Sequence, residues 1–67
     1  MTYYWIKERH NPQCKDPYYV AMGQMPAKDA RKHAGSLYGY NVMLKYATKK
    51  KYDEALAQLE KQGKRVL

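Results

Sequence analysis

Thr2-Tyr3-Tyr4-Trp5-Ile6-Lys7-Glu8-Arg9-His10 is the stretch on which the fold turns. It is rich in aromatics, and an extended chain sends successive side chains to opposite faces. Tyr4, Ile6 and Glu8 then point one way, and Tyr3, Trp5, Lys7 and Arg9 the other. The first set reads as the core side of a strand, with Glu8 near its edge. The second is aromatic, then basic. It suits a solvated sheet face better than a stacking platform for single-stranded nucleic acid, because Tyr and Trp on a strand usually cover the sheet.

Working outward, Asn11 to Pro17 is a loop punctuated by two prolines and by Asn and Asp. Tyr18 to Met25 is a second strand, and a loop of this length makes an antiparallel hairpin the simplest connection. Pro26 fits the first turn of a helix, where a missing N–H costs nothing. Ala27, Ala30, Ala34 and Leu37 share one helical face; Lys28, Arg31, Lys32 and Ser36 turn to solvent. Gly35 or Gly39 ends that helix. Tyr40 to Thr48 is a third strand, with Val42, Leu44 and Tyr46 alternating with Met43, Lys45 and Ala47. Thr48 is positioned to cap a last helix whose apolar stripe is Tyr52, Ala55, Leu56 and Leu59, and Gly63 ends it. Lys64 to Leu67 is a tail or a short fourth strand. The order β-β-α-β-α predicts an α+β fold, a small antiparallel sheet with two helices packed on one face.

Composition sets the limits. Sixty-seven residues form a single domain, 1–67, close to the lower size for a self-sufficient core. With no Phe, eight Tyr and one Trp must supply much of the buried area. Cys14 is alone, so no internal disulfide forms, which fits a reducing cytoplasm. The apolar opening meets Lys7 after six residues, too short for a signal segment, and no run could span a bilayer.

The net charge of +7 predicts attraction to an anionic partner. Met25 to Lys51 holds seven Lys/Arg and one Asp, hence six of those seven charges. Lys49, Lys50 and Lys51 occupy the first turn of the last helix, where each cation costs on the order of 0.3–1 kcal/mol against the macrodipole. Stability does not favour that choice, which points to a partner outside the chain.

Catalytic readings find little support. There is no Gly-rich phosphate loop, nucleophile elbow or carboxylate pair at a cleft, so neither cofactor nor small-molecule substrate is expected. His10, Cys14 and His33 offer a metal three ligands at poor spacing, and His33 reads as a half-buried packing residue. No helix-turn-helix, zinc-finger, RRM or KH signature appears, so base-specific readout is not expected, while sequence-blind binding to DNA or RNA is compatible with the charge.

Tyr4-Trp5-Ile6-Lys7-Glu8, then Ala30-Arg31-Lys32-His33-Ala34, then an aromatic elbow, Val42-Met43 and Gly63-Lys64-Arg65, together resemble the small phage-encoded type I-F anti-CRISPR proteins that coat the Cas7 backbone of the crRNA-guided surveillance complex. The chain departs from that pattern at Ser36, where the family has a basic residue, and from Lys49 to Gln62, which looks helical where the family has strands. The resemblance implies that Arg31 and Lys32, with the aromatic at Tyr38, contact the complex, block target DNA and draw in DNA nonspecifically. The first expectation is therefore a cytoplasmic inhibitor of a bacterial defence nucleoprotein. Lys28, Arg31, Lys32, Lys45, Lys49, Lys50 and Lys51 would steer it, and Tyr38 and Tyr40 would anchor it. The alternative is a small basic nucleic-acid-binding accessory protein without catalytic activity.

Overall fold

Among the described residues, three strands and two helices carry the chain: β1 (Thr2–His10), β2 (Tyr18–Pro26), α1 (Ala27–Arg31), β3 (Tyr40–Tyr46) and α2 (Lys49–Lys61). The computed structural model describes residues 1–13, 15–35 and 39–67. β1 is the central strand of an antiparallel sheet ordered β2-β1-β3. This is the α+β class and element order read from the sequence, with β1 at the same bounds.

Pairing of Tyr4 with Tyr46 and of Ile6 with Leu44 sets one row of side chains together. On the other flank the register shifts between Trp5, opposite Gly23, and Ile6, opposite Ala21, so Met22 is an extra residue. Such a bulge needs an unusual backbone, and Gly23 supplies it at φ 78°. The Gly23 N–H donates to the Tyr52 hydroxyl at 3.2 Å, which ties α2 to the bulge.

The core lies on the Ile6 side. Ile6 is 0% exposed, and Tyr19 and Tyr52 join it as buried residues. Tyr4, Leu44, Tyr46, Ala55, Leu56, Leu59 and Val66 pack around them. The stripe expected on α2 is the one that packs, at the spacing of one helical face. Thr48 caps α2 through its hydroxyl, which accepts from Lys51 N at 3.2 Å. Gly63, at φ 77°, turns the chain after it. The end is a tail joined to β2 by one isolated bridge: Val66 pairs with Tyr19 in parallel, with Tyr19 N donating to Arg65 O at 2.8 Å and Leu67 N to Tyr19 O at 2.7 Å.

Four expectations change. α1 spans only five residues, so neither Gly35 nor Gly39 ends it, and Ala34 is exposed rather than buried. After α1 the bonds shorten to the i→i+3 pattern, His33 N to Ala30 O and Ala34 N to Arg31 O. The His33 and Ala34 carbonyls are then taken by the Asn41 side-chain amide and backbone N–H. Second, the two helices do not share one core. Ala30 is 1% exposed but stands outside the cluster under α2, because α1 is too short to lay a stripe across the sheet. Third, Trp5 is 7% exposed rather than half-solvated, and its indole N–H donates to Met25 O at 2.8 Å. Fourth, β3 stops at Tyr46, so Ala47 and Thr48 form the turn that frees Thr48 to cap. Leu37 and Ser36, placed on α1 by the sequence reading, lie outside the described residues.

Gly39 combines a φ of 127° with a close approach: a Cβ there would sit 2.1 Å from His10 O. Gly63 has a positive φ but open space around it. Replacement of Gly63 by Ala should cost about 1 kcal/mol from backbone strain alone. Gly39→Ala should cost clearly more, because the His10 carbonyl or the strand end must move. Chemical denaturation of both variants checks this, and equal losses would show that the His10 contact relaxes freely.

Candidate functional site

The cations do not occupy one spot. β2 and β3 both end beside the start of β1, so the sheet gathers Lys28, Lys45 and Lys49 to Lys51 toward that end. Lys28 follows Pro26, which pairs with Thr2; Lys45 pairs with Trp5; Lys49 follows Tyr46, which pairs with Tyr4. All five are exposed. Arg31 and Lys32 are exposed near the far end of α1, where the following turn is fastened to Asn41. Tyr40 sits at the opposite end of β3, paired with His10, roughly 16 Å of strand away from Lys45. Tyr38 lies outside the described residues.

The chain neutralises little of this charge. Lys49 Nζ lies 3.1 Å from Asp53 Oδ2, which raises the lysine's affinity for its proton, and Lys32 Nζ lies 3.9 Å from Asp29 Oδ1. Both pairs are solvent-exposed, so each contributes little. Among the described residues, Lys28, Arg31, Lys50 and Lys51 have no acidic partner. The first turn of α2 holds no acidic residue. Lys45 Nζ stands 4.7 Å over the Tyr3 ring, and Tyr3 meets the buried Trp5 edge-on at 6.2 Å. That ring holds the lysine head at the surface without cancelling its charge.

A second constellation was not foreseen as a unit. Tyr40 is 56% exposed, and its ring stacks on the His10 imidazole at 4.4 Å and 9°. Beside the pair lies a cleft of about 400 Å³ lined by His10, Asn11, Pro12, Lys15, Pro17, Gly39 and Tyr40. His10 is set by Glu8: its Nε2 lies 2.5 Å from Glu8 Oε1, and the Tyr19 hydroxyl donates to Glu8 Oε2 at 2.8 Å. The sequence signals were present but dispersed. His10 drew notice only as a poor zinc ligand, and Gly39 only as a helix end. Among the described residues, no group of three or more His, Cys, Asp or Glu could hold a metal ion. No helix among them is long and apolar enough to cross a membrane.

The His10 hydrogen bond, and after it the Tyr19 hydroxyl working against burial, holds the Glu8 carboxyl below its usual value of 4.5. Burial first, and then the adjacent Glu8 carboxylate, pushes the Tyr19 hydroxyl up. A carboxyl with a lowered folded pKa stabilises fully above its unfolded value and loses that contribution as pH falls through the folded one. Glu8→Gln should therefore lower stability at neutral pH. The gap to the unmodified chain should narrow as pH drops below about 4.5. Urea unfolding across that range checks it; a gap independent of pH would show that the Glu8 charge is not what the network uses. Compared with protein-family models, with curated proteins and with solved structures, the chain matches none.

Proposed function

We propose that this protein is a non-catalytic inhibitor of a bacterial CRISPR-Cas surveillance complex, acting in the host cytoplasm by occupying the path of target DNA. The observation that carries the reading is the uncompensated charge. The net charge is +7, and Lys28, Arg31, Lys50 and Lys51 are exposed without acidic partners among the described residues. Cations placed against a helix macrodipole are retained at some cost to α2, which an anionic partner would offset. The resemblance to type I-F inhibitors narrows the partner to a Cas7-type backbone subunit or the crRNA it holds. Arg31 and Lys32 take the contacting role, and the exposed Tyr40 supplies an aromatic close in sequence to Tyr38. Lys45 and Lys49 to Lys51 add long-range attraction from the other end of the sheet, which raises association rate more than affinity.

The second reading is a standalone nucleic-acid-binding protein, favoured by the same charge. Titration against naked duplex and single-stranded DNA at two salt concentrations separates the two. Tight binding with a steep salt slope supports the second; weak binding to DNA beside tight binding to the complex supports the first.

Reversal of both charges, Arg31→Glu with Lys32→Glu, should abolish inhibition of target-DNA binding by a purified type I-F complex. The melting temperature should stay within about 2 °C, because both side chains are exposed and surface substitutions cost little. Full inhibition by the double variant would remove this surface from the mechanism.

A further inference from the structure

The cleft beside Tyr40 has no part in the charge argument. One face of the Tyr40 ring is covered by His10 in a near-parallel stack, and more than half of the residue remains open. The backbone that carries the ring is held in the sheet. Tyr40 and Asn41 pair with His10 and Arg9 in the sheet, and Gly39 is pressed against the His10 carbonyl. His10 is fixed in turn by Glu8, and Glu8 by Tyr19, which is buried in the core. Behind the exposed ring, then, is a chain of contacts leading into the folded interior. Pro12 and Pro17 also line the cleft, and the Asn11 carboxamide oxygen accepts from Gln13 N at 2.9 Å. Lys15 lines the same cleft and has no ion-pair partner among the described residues.

A stacked ring pair open on one side, a slot of about 400 Å³ and one ammonium without an ion-pair partner among the described residues suit one kind of ligand. It is flat, aromatic and negatively charged at one end. We infer that this cleft binds a nucleotide, its base stacked on Tyr40 as a further layer on the His10–Tyr40 pair and its phosphate near Lys15. The site has no ring of donors and acceptors converging on a base edge, so binding tolerates any base. The nucleotide comes either free or as an unpaired residue of a strand. The inference rests on the proposed function, since a nucleoprotein partner offers single-stranded RNA and displaced DNA, and it gives Tyr40 a role that charge alone does not.

The test uses the full chain and two sets of probes: adenosine and cytidine 5′-monophosphate, and short oligothymidine. NMR shift changes report the site, and inorganic phosphate and tripolyphosphate serve as controls. Resonances of Tyr40 and His10 should move with the nucleotide probes and not with the phosphates, whereas Lys15 should respond to both. Stronger binding of the oligonucleotide identifies a strand as the source, and equal binding of the monophosphates identifies the free nucleotide. Tyr40→Ala should weaken binding by about tenfold or more, the range expected for loss of one stacked base, while Tyr40→Trp retains it. Lys15→Ala should lower the salt slope by about one counterion. The buried Trp5 fluorescence checks that each variant is folded. Probes that leave Tyr40 and His10 unmoved, or phosphates that move them equally, overturn the site. Arg31→Glu with Lys32→Glu should bind mononucleotide normally while failing to inhibit. The failure of the nucleotide site and the failure of the inhibitor reading therefore give different results.

Discussion

Tyr52 makes the contact on which the remaining structure depends. Its ring meets Tyr4 at 5.4 Å and Tyr46 at 6.5 Å, and its hydroxyl accepts from Gly23 N at the β2 bulge. One side chain therefore joins α2 to all three strands. A chain with no Phe must bury tyrosines, and a buried hydroxyl left without a partner offsets a good part of what its ring contributes. Tyr52 meets that demand with a bulge N–H and Tyr19 with the Glu8 carboxylate. The molecule measures 34 × 29 × 12 Å between Cα extremes, too thin to hide many side chains completely, and Ile6 is the one large side chain among the described residues that is fully enclosed. Polar contacts at the rim of the core thus take a share of the work that aliphatic bulk would do in a larger domain.

Anchoring α2 has consequences at both of its ends. At its start, Thr48 and Tyr52 fix the first turn, so Lys49, Lys50 and Lys51 are displayed from a rigid base. At its finish, Gly63 reverses the chain and brings Val66 beside Tyr19, which covers part of the outer edge of β2. An uncovered edge strand invites pairing with other chains. The C-terminal residues blunt that tendency on one side. At the start of the opposite edge, the Asn41 N–H is taken by Ala34 O.

The sequence was most informative where a local rule had no competitor. Alternation marked β1 and placed Ile6 in the core, although it did not show that Trp5 on the other face is buried as well. Thr48 and Gly63 marked the ends of α2 through capping chemistry that is complete within a few residues. α1 was misjudged because alanine spacing describes what a helix would bury and says nothing of whether the sheet offers a place to bury it. Asn41, distant in sequence, claims the His33 and Ala34 carbonyls, and the helix yields to that tertiary demand. The paired strand ends explain the split of the nominated site residues in the same way. Charge could be counted along the chain, but register decides which end of the sheet each lysine reaches. The cleft was the least visible feature, since it is assembled from the end of β1, a proline loop and a glycine before β3.

Gly39 shows how the two halves of the surface are linked. Its backbone lies where no side chain could, against His10 O, and this close approach lets Tyr40 come down flat onto the imidazole. The same strand, six residues on, enters the turn that starts α2 and its lysines. β3 therefore carries an aromatic platform at one end and delivers cations at the other, at a separation set by strand rise rather than by flexible side chains. The distance between the two is thus a property of strand pairing and not of how many lysines the chain holds.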